Sequence, residues 1–285
     1  MRFGAHVSAA GGLWKAGLAG KELGCEVIQI FSRSPQMFAA KPISDDDVAK
    51  FRESMKENGI EDVYIHAPYI VNLASSKNTT RFGSVKILRE ELERGTQLGA
   101  KAIMFHPGSA KDVGQEAGVE AVIKGLDRIM DGYEGSCQLL IEISAGAGAV
   151  MGDEFEEIAA FIDGAKRGKE IGVCFDTQHA FASGYDLRTK EDVDKTFKDF
   201  DRIIGLDKLV ASHCNDSKIE FDGHKDRHQH LGHGFIGADA FKYIVQHPKL
   251  QHIDLILETP FDGEEEKGSR EEDIALLKKF RKGMK

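Results

Sequence analysis

Nine side chains of two kinds, imidazole and carboxylate, stand at or just beyond the ends of short apolar runs: His66, His106, Glu142, Asp176, His179, His213, Asp226, His228 and Glu258. Both kinds are good ligands for a borderline divalent cation such as zinc. One such group alone is ordinarily a hydrogen-bonded structural residue. Several at one rim are a different matter, because a buried carboxylate costs several kcal/mol unless it is paired or bound to metal. Few Lys or Arg residues stand at these positions to pair with them. The set also exceeds what one tetrahedral ion uses. Two ions ~4 Å apart sharing a bridging carboxylate, with a third for the remaining ligands, form a clamp suited to phosphoester hydrolysis. A sugar isomerase or epimerase with one or two metals is the rival enzyme class. A metal-holding DNA-binding module is the rival without catalysis. Mixed His/carboxylate sites accept manganese as well as zinc.

The elements that must position these groups follow from hydrophobic periodicity. Apolar, β-rich segments recur at 2–7, 26–31, 62–67, 101–106, 138–143, 171–176, 209–214 and 254–259. Amphipathic stretches separate them at 12–23, 44–57, 79–98, 116–131, 153–165, 189–204 and 237–247, and 269–282 follows the last. Ser44 followed by Asp45, Asp46 and Asp47 reads as a capped helix start, and Gly24, Gly59 and Gly99 stand where helices should stop. The acidic stretch after Gly263 reads as a solvated lead-in to the last helix. Eight β–α units in a row imply a parallel sheet. A (β/α)8 TIM barrel uses ~250 residues, so 1–285 reads as one domain with its active site at the C-terminal ends of the strands. An open doubly wound sheet would show a Gly-rich phosphate turn after its first strand, and HVSAAGGL is not one.

Composition narrows the class further. The four cysteines are scattered, with no CxxC pair, which points to a reducing compartment. The opening MRFGAHVSAAGG lacks the long apolar core of a secretory signal, and no run approaches the ~20 apolar residues of a membrane span. These features lead to the expectation of a cytoplasmic protein with no membrane partner. The net charge of −9 speaks against nucleic acid until bound metal is counted.

The segments HAPYIVNLA (66–74), FHPGS (105–109), GVCFDTQH (172–179), SHCNDSK (212–218) and DRHQHLGHG (226–234), with ILET (256–259) and GAHVSAAGGL (4–13), resemble the signatures of the endonuclease IV family, the zinc-dependent apurinic/apyrimidinic endonucleases. The match runs in order from Gly4 to Glu258. The resemblance implies a TIM barrel holding three Zn2+ that acts in base excision repair. Such an enzyme nicks double-stranded DNA 5′ to an abasic site, leaves a 3′-hydroxyl and a 5′-deoxyribose phosphate, and trims blocked 3′ ends. It would act as a monomer, in the nucleoid if the source is prokaryotic. Carried over by position, His66 and His106 hold the first zinc and Glu142 bridges it to the second. Asp176, His213 and Glu258 complete the second, and His179, Asp226 and His228 hold the third. Glu142 is then the catalytic residue, holding and orienting a zinc-bound hydroxide.

Around these ligands the expectations are looser. Tyr69 matches the tyrosine that packs at the abasic site; its plain alternative is an amphipathic rim residue. Gln36 and Met37 stand where the family often carries a long polar residue that probes the DNA gap, and Gln178 stands where it often has Cys, a change expected to alter packing only. His6 reads as a contact to a ligand or the substrate, or equally as a core histidine. Arg33, Lys225 and Arg227 join the expected DNA contacts, within a basic crescent. The remaining histidines, His230 among them, read as surface. Three dications would bring the net charge to about −3 and make the strand-end rim positive.

Overall fold

The computed structural model describes residues 1–261 and 267–284. Of the stretch 264–273 after Gly263, residues 264–266 lie outside the described residues and 270–273 already belong to the last helix. The expected alternation is present throughout. In chain order the elements are β1 (Phe3–His6), α1 (Lys15–Glu22), β2 (Val27–Ile30), α2 (Asp45–Glu57), β3 (Asp62–His66), α3 (Asn78–Leu98), β4 (Ala102–Phe105), α4 (Gln115–Met130), β5 (Gln138–Glu142), α5 (Phe155–Gly164), β6 (Gly172–Cys174) and α6 (Thr177–Ala182). Then follow α7 (Lys190–Ile203), β7 (Leu209–His213), β8 (Asp216–Ser217), β9 (His228–Gln229), α8 (Ala238–Gln246), β10 (Asp254–Leu257) and α9 (Arg270–Lys282). Eight strands close a parallel barrel in the order β1-β10-β7-β6-β5-β4-β3-β2, and β8 and β9 form a separate two-stranded antiparallel pair. None of the described helices is long and apolar enough to cross a membrane.

Each barrel strand alternates its side chains. Ile28, Ile65, Ile103, Phe105, Leu139, Ile141, Val173 and Leu255 point outward and pack under the helices in the main core. The opposite set, Val27, Tyr64, Ala102, Met104, Leu140, Cys174, Ala211 and Ile256, forms a second, smaller core inside the barrel. The barrel is thus filled by side chains and is not a pore. Gly4 is required where β1 meets β2, because any Cβ there would overlap the Val27 carbonyl. The floor is closed by Asp254, which takes hydrogen bonds from Arg2, Tyr64 and Lys101.

The helix boundaries follow local chemistry. Ser44 caps α2 by accepting from the Asp47 amide, with Asp47 reciprocating. Thr189 caps α7 and Ser269 caps α9, each by accepting from a first-turn amide. Gly99 ends α3 in the left-handed conformation at φ 77°. The six-residue α6 and the β8–β9 pair have no counterpart in the periodicity, since neither is long enough to show a period.

Candidate metal centre

Two residues beyond the last inner-core member of a strand, the same face presents one polar side chain at the carboxyl end. Tyr64 leads to His66, Met104 to His106, Leu140 to Glu142, Cys174 to Asp176, Ala211 to His213 and Ile256 to Glu258. On the remaining two strands Gly4 leads to His6 and Val27 to Gln29. The period of a strand therefore gathers eight polar groups into one ring at the barrel mouth.

Among the described residues, potential ligand atoms lie within 4.8 Å of one another in three groups: His66, His106 and Glu142; Glu142, Asp176, His213 and Glu258; and Asp176, His179 and His228. Glu142 and Asp176 each belong to two groups, so the three sites are joined through carboxylates. The expected division gave Asp176 to the second group alone; here it also faces the third, with Oδ2 3.6 Å from His228 Nε2. Asp226 joins the third group from outside. Its Oδ1 lies 3.4 Å from His179 Nε2 and 3.3 Å from His228 Nε2, and its side chain stays 60% exposed.

The hydrogen bonds behind the ring nitrogens test whether this donor set fits a cation. A carbonyl oxygen only accepts, so a nitrogen bonded to one must carry the proton. Nδ1 of His66 donates to Ala67 O at 2.7 Å, that of His179 to Ile143 O at 2.9 Å, and that of His228 to Glu258 O at 3.0 Å. In the neutral rings each Nε2 is then a lone pair. Those of His179 and His228 face each other at 3.4 Å, and that of His66 faces Glu142 Oε2 at 3.1 Å. Acceptors converge on acceptors, which is stable only around positive charge. Without metal, protons must supply it. Burial pushes the Glu142 carboxyl up, but the surrounding His106 and His213 more than reverse this and hold it well below the ordinary range. Burial likewise pushes His179 down, and the carboxylates of Asp176, Asp226 and Glu142 carry it well above the imidazole range. A divalent cation held by these groups would supply the same positive charge in place of those protons.

Asp176 shows how the chain builds the centre locally. It ends the β6 segment and caps α6, with Oδ1 accepting from the His179 amide at 2.9 Å. Its Oδ2 accepts from Asn215 Nδ2 at 2.8 Å, and Asn215 Oδ1 takes the Glu258 amide at 2.7 Å. Asp216 beside it is a buried carboxylate that accepts from the amides of Gly232, Gly234, Ile236 and Gly237, fixing the loop after His228. Asn215, Asp216 and Gln29 were not among the expected site residues. For Gln29 a signal existed: it is the one polar residue inside the otherwise apolar run VIQIF.

A cavity of about 840 Å3 opens beside the ring, lined by His6, Phe31, Tyr69, Arg227, His228 and Glu258 among others. Tyr69 is exposed, with its ring edge-on to Phe31 at 5.4 Å and 5.7 Å from His66. Gln36, Met37 and Lys225 are exposed on the flanking loops. Three expectations need correction. Arg33 is buried and points inward: its Nε pairs with Glu91, which is fully buried, its Nη2 lies 3.0 Å from Glu90, and Nη1 donates to Phe38 O. Those carboxylates on α3 occupy the guanidinium, so it anchors the loop rather than offering charge to DNA. Gln178 does more than pack. Its Nε2 donates to Lys225 O at 2.9 Å and its Oε1 accepts from the Arg227 amide at 3.2 Å, gripping the backbone on both sides of Asp226. His230 is buried, 2.7 Å from Asp273, and is not at the surface.

Comparison with known proteins agrees with this geometry. Residues 18–280 match the family described as xylose isomerase-like TIM barrel. The probable endonuclease 4 of Bacillus licheniformis is 40% identical over 273 residues, covering 95% of this chain and 91% of that protein. Its counterpart in Bacillus subtilis is 39% identical over the same coverage. The crystal structure of endonuclease IV from Thermus thermophilus superposes with a TM-score of 0.85 at 31% identity, covering 99% of this chain and all of the other.

Proposed function

The chain belongs to the endonuclease IV family, and from that premise we propose that it is a zinc-dependent DNA-repair endonuclease. Its reaction is hydrolysis of the phosphodiester 5′ to an apurinic/apyrimidinic site, leaving a 3′-hydroxyl and a 5′-deoxyribose phosphate. The same centre trims blocked 3′ ends. The observation that carries the reading is the convergence of lone-pair nitrogens and carboxylates in three joined groups beside an open cavity. Three zinc ions are assigned to them: one to His66, His106 and Glu142, one to Glu142, Asp176, His213 and Glu258, and one to His179, Asp226 and His228.

Zinc bound there would lower the pKa of coordinated water towards ~7, polarise the phosphate and stabilise the departing oxygen. The protein's own groups do the rest. Glu142 and Asp176, each facing two groups, hold the sites at a fixed spacing. Backbone carbonyls behind His66, His179 and His228 keep their Nε2 atoms aimed at the centre. Tyr69, supported by Phe31, supplies an aromatic face at the mouth against which a deoxyribose lacking its base can pack. Arg227 and Lys225 supply positive charge for backbone phosphates, which positions the duplex without reading sequence. Selectivity then rests on the ease of bending and everting a duplex that lacks a base.

The test is incision of a duplex carrying one tetrahydrofuran abasic analogue, using zinc-replete protein, chelator-stripped protein and Glu142→Ala. Wild type is expected to nick 5′ to the analogue, and the other two to lose at least about 1000-fold in rate (about 4 kcal/mol). Zinc-replete wild type that cuts no faster than Glu142→Ala overturns the proposal.

A further inference from the structure

Gln29 is the member of the ring that β2 contributes, and it is fully buried. Its side-chain amide touches three members at once. Nε2 lies 2.6 Å from Glu258 Oε1 and 2.9 Å from His6 Nδ1, and Oε1 lies 2.7 Å from His213 Nε2. The orientation of the amide follows from chemistry. An ionised carboxylate only accepts, so the NH2 end must face Glu258, and the carbonyl end then faces His213. The consequences propagate in both directions. His213 must hold a proton on Nε2 to satisfy that carbonyl. Its Nδ1 is thereby left as the lone pair, 2.8 Å from Glu142 Oε1 and 3.3 Å from Glu258 Oε2, at the heart of the second ligand group. On the other side, the second amide hydrogen goes to His6 Nδ1, so the proton of neutral His6 sits on Nε2. Glu258, with Oε1 held by the amide, keeps Oε2 for the centre.

We propose that Gln29 is a positioning residue that selects the tautomers of His213 and His6 and fixes the rotamer of Glu258, and so sets the zinc affinity of the Asp176–His213–Glu258 site. The proposal rests on the assignment of zinc to that site. Among the eight strand-end residues Gln29 is the one side-chain amide, with two N–H donors and a carbonyl acceptor at a fixed neutral charge. That is why one amide can serve a carboxylate and two imidazoles together. The arrangement also assigns His6 a part: with Nδ1 occupied by Gln29, it brings a fixed N–H donor to the wall of the cavity.

The experiment uses the full-length protein, stripped and then titrated with zinc against a chromophoric chelator, together with long-range 1H–15N spectra of the histidine rings. Gln29→Met keeps the volume and removes all three hydrogen bonds. One of three zinc sites is expected to weaken about 10- to 100-fold while the other two hold, and the His213 and His6 rings are expected to lose their single-tautomer patterns. His213→Ala is the control for the assignment itself and should abolish one site. If it leaves three sites intact, the zinc assignment fails, and this inference with it. If His213→Ala removes a site but Gln29→Met changes neither isotherm nor ring spectra, the inference alone is overturned. Should Gln29→Met not fold, the isosteric Gln29→Glu decides: ionised, it retains the acceptor for His213 and loses the donors to both Glu258 and His6, so His213 should keep its Nε2 proton while His6 loses its fixed tautomer. Retention of both patterns in that variant refutes the proposal.

Discussion

Replacing Arg33 by Met separates two roles that the sequence alone leaves confounded. If the guanidinium contacts phosphate, its loss weakens DNA binding and lowers the slope of log K against log salt by about 0.9. The structure instead places it against Glu91, itself fully buried, with Ser32 Oγ donating to the same carboxylate at 2.6 Å. Removing one partner of a buried pair costs about 3–5 kcal/mol where the other charge is left alone; here Arg94 Nε, 3.8 Å from Glu91 Oε1, offsets part of that, so the loss should fall at or below the lower end. The second contact, to the half-exposed Glu90, adds little. Total stability of a typical protein is about 5–15 kcal/mol, so Arg33→Met should shift a urea unfolding midpoint conspicuously. The salt slope for a tetrahydrofuran-containing duplex should stay unchanged, even if affinity falls because the 31–41 loop loosens. Adding Glu91→Gln to Arg33→Met should restore at least half of the lost stability, since the under-compensated charge is then gone. A single variant as stable as wild type, with the slope reduced by about one, would refute this reasoning.

Further outcomes follow from other parts of the structure. Burial, with help from Asp153 and Glu154 and against the Gly152 amide, pushes the Glu157 carboxyl up to about 7 from an ordinary 4.5. A folded pKa above the unfolded one gives stability that is complete below about 4.5 and lost as pH rises through 7. The wild-type advantage over Glu157→Gln should therefore shrink by up to about 3 kcal/mol between about pH 4.5 and 8 in metal-free urea titrations, and a flat difference would exclude it. Gly4→Ala should cost about 3 kcal/mol or more, because the obstructing atom is a Val27 backbone oxygen in the neighbouring strand; soluble, wild-type-like unfolding would contradict this. Tyr69→Ala, at an exposed position, should leave stability unchanged. It should weaken binding to abasic duplex about 5- to 10-fold relative to intact duplex, and an equal loss on both duplexes would remove its assigned role.

The eight strands and the six proposed ligands at their ends were legible because both rest on short-range rules. Period-two alternation carries the inward face of each strand from an apolar residue, such as Leu140, to a functional one, such as Glu142, without long-range information. What could not be read depends on partners far apart in the chain. Arg33 looks like any rim arginine until Glu91, 58 residues on, is seen beside it. Gln178 looks like a packing substitution until the 225–227 backbone, 47 residues on, is found against its amide. His230 looks like a loop histidine until Asp273 accepts from it. For Arg33 and His230 local polarity suggested solvent, and in all three cases a distant complementary group overrode the local reading.

The division of labour inside the barrel explains how so polar a ring can be tolerated. Moving down from the mouth, the next inward residues are nearly all apolar, and below them Asp254, Arg2, Tyr64 and Lys101 close the floor with satisfied hydrogen bonds. Closure of the sheet is therefore secured by layers that take no part in chemistry. The top layer is free to gather acceptors whose mutual repulsion would otherwise open the strands. Within that layer the balance is local. Asn215 quiets one oxygen of Asp176, Gln29 one oxygen of Glu258, and backbone carbonyls take the outward protons of His66, His179 and His228. Every group so restrained keeps one lone pair directed at the centre, and the direction is imposed by hydrogen-bond partners that are not themselves proposed ligand atoms. If the nine residues hold zinc as proposed, loss of one of these outer partners should weaken that binding by about 10- to 100-fold.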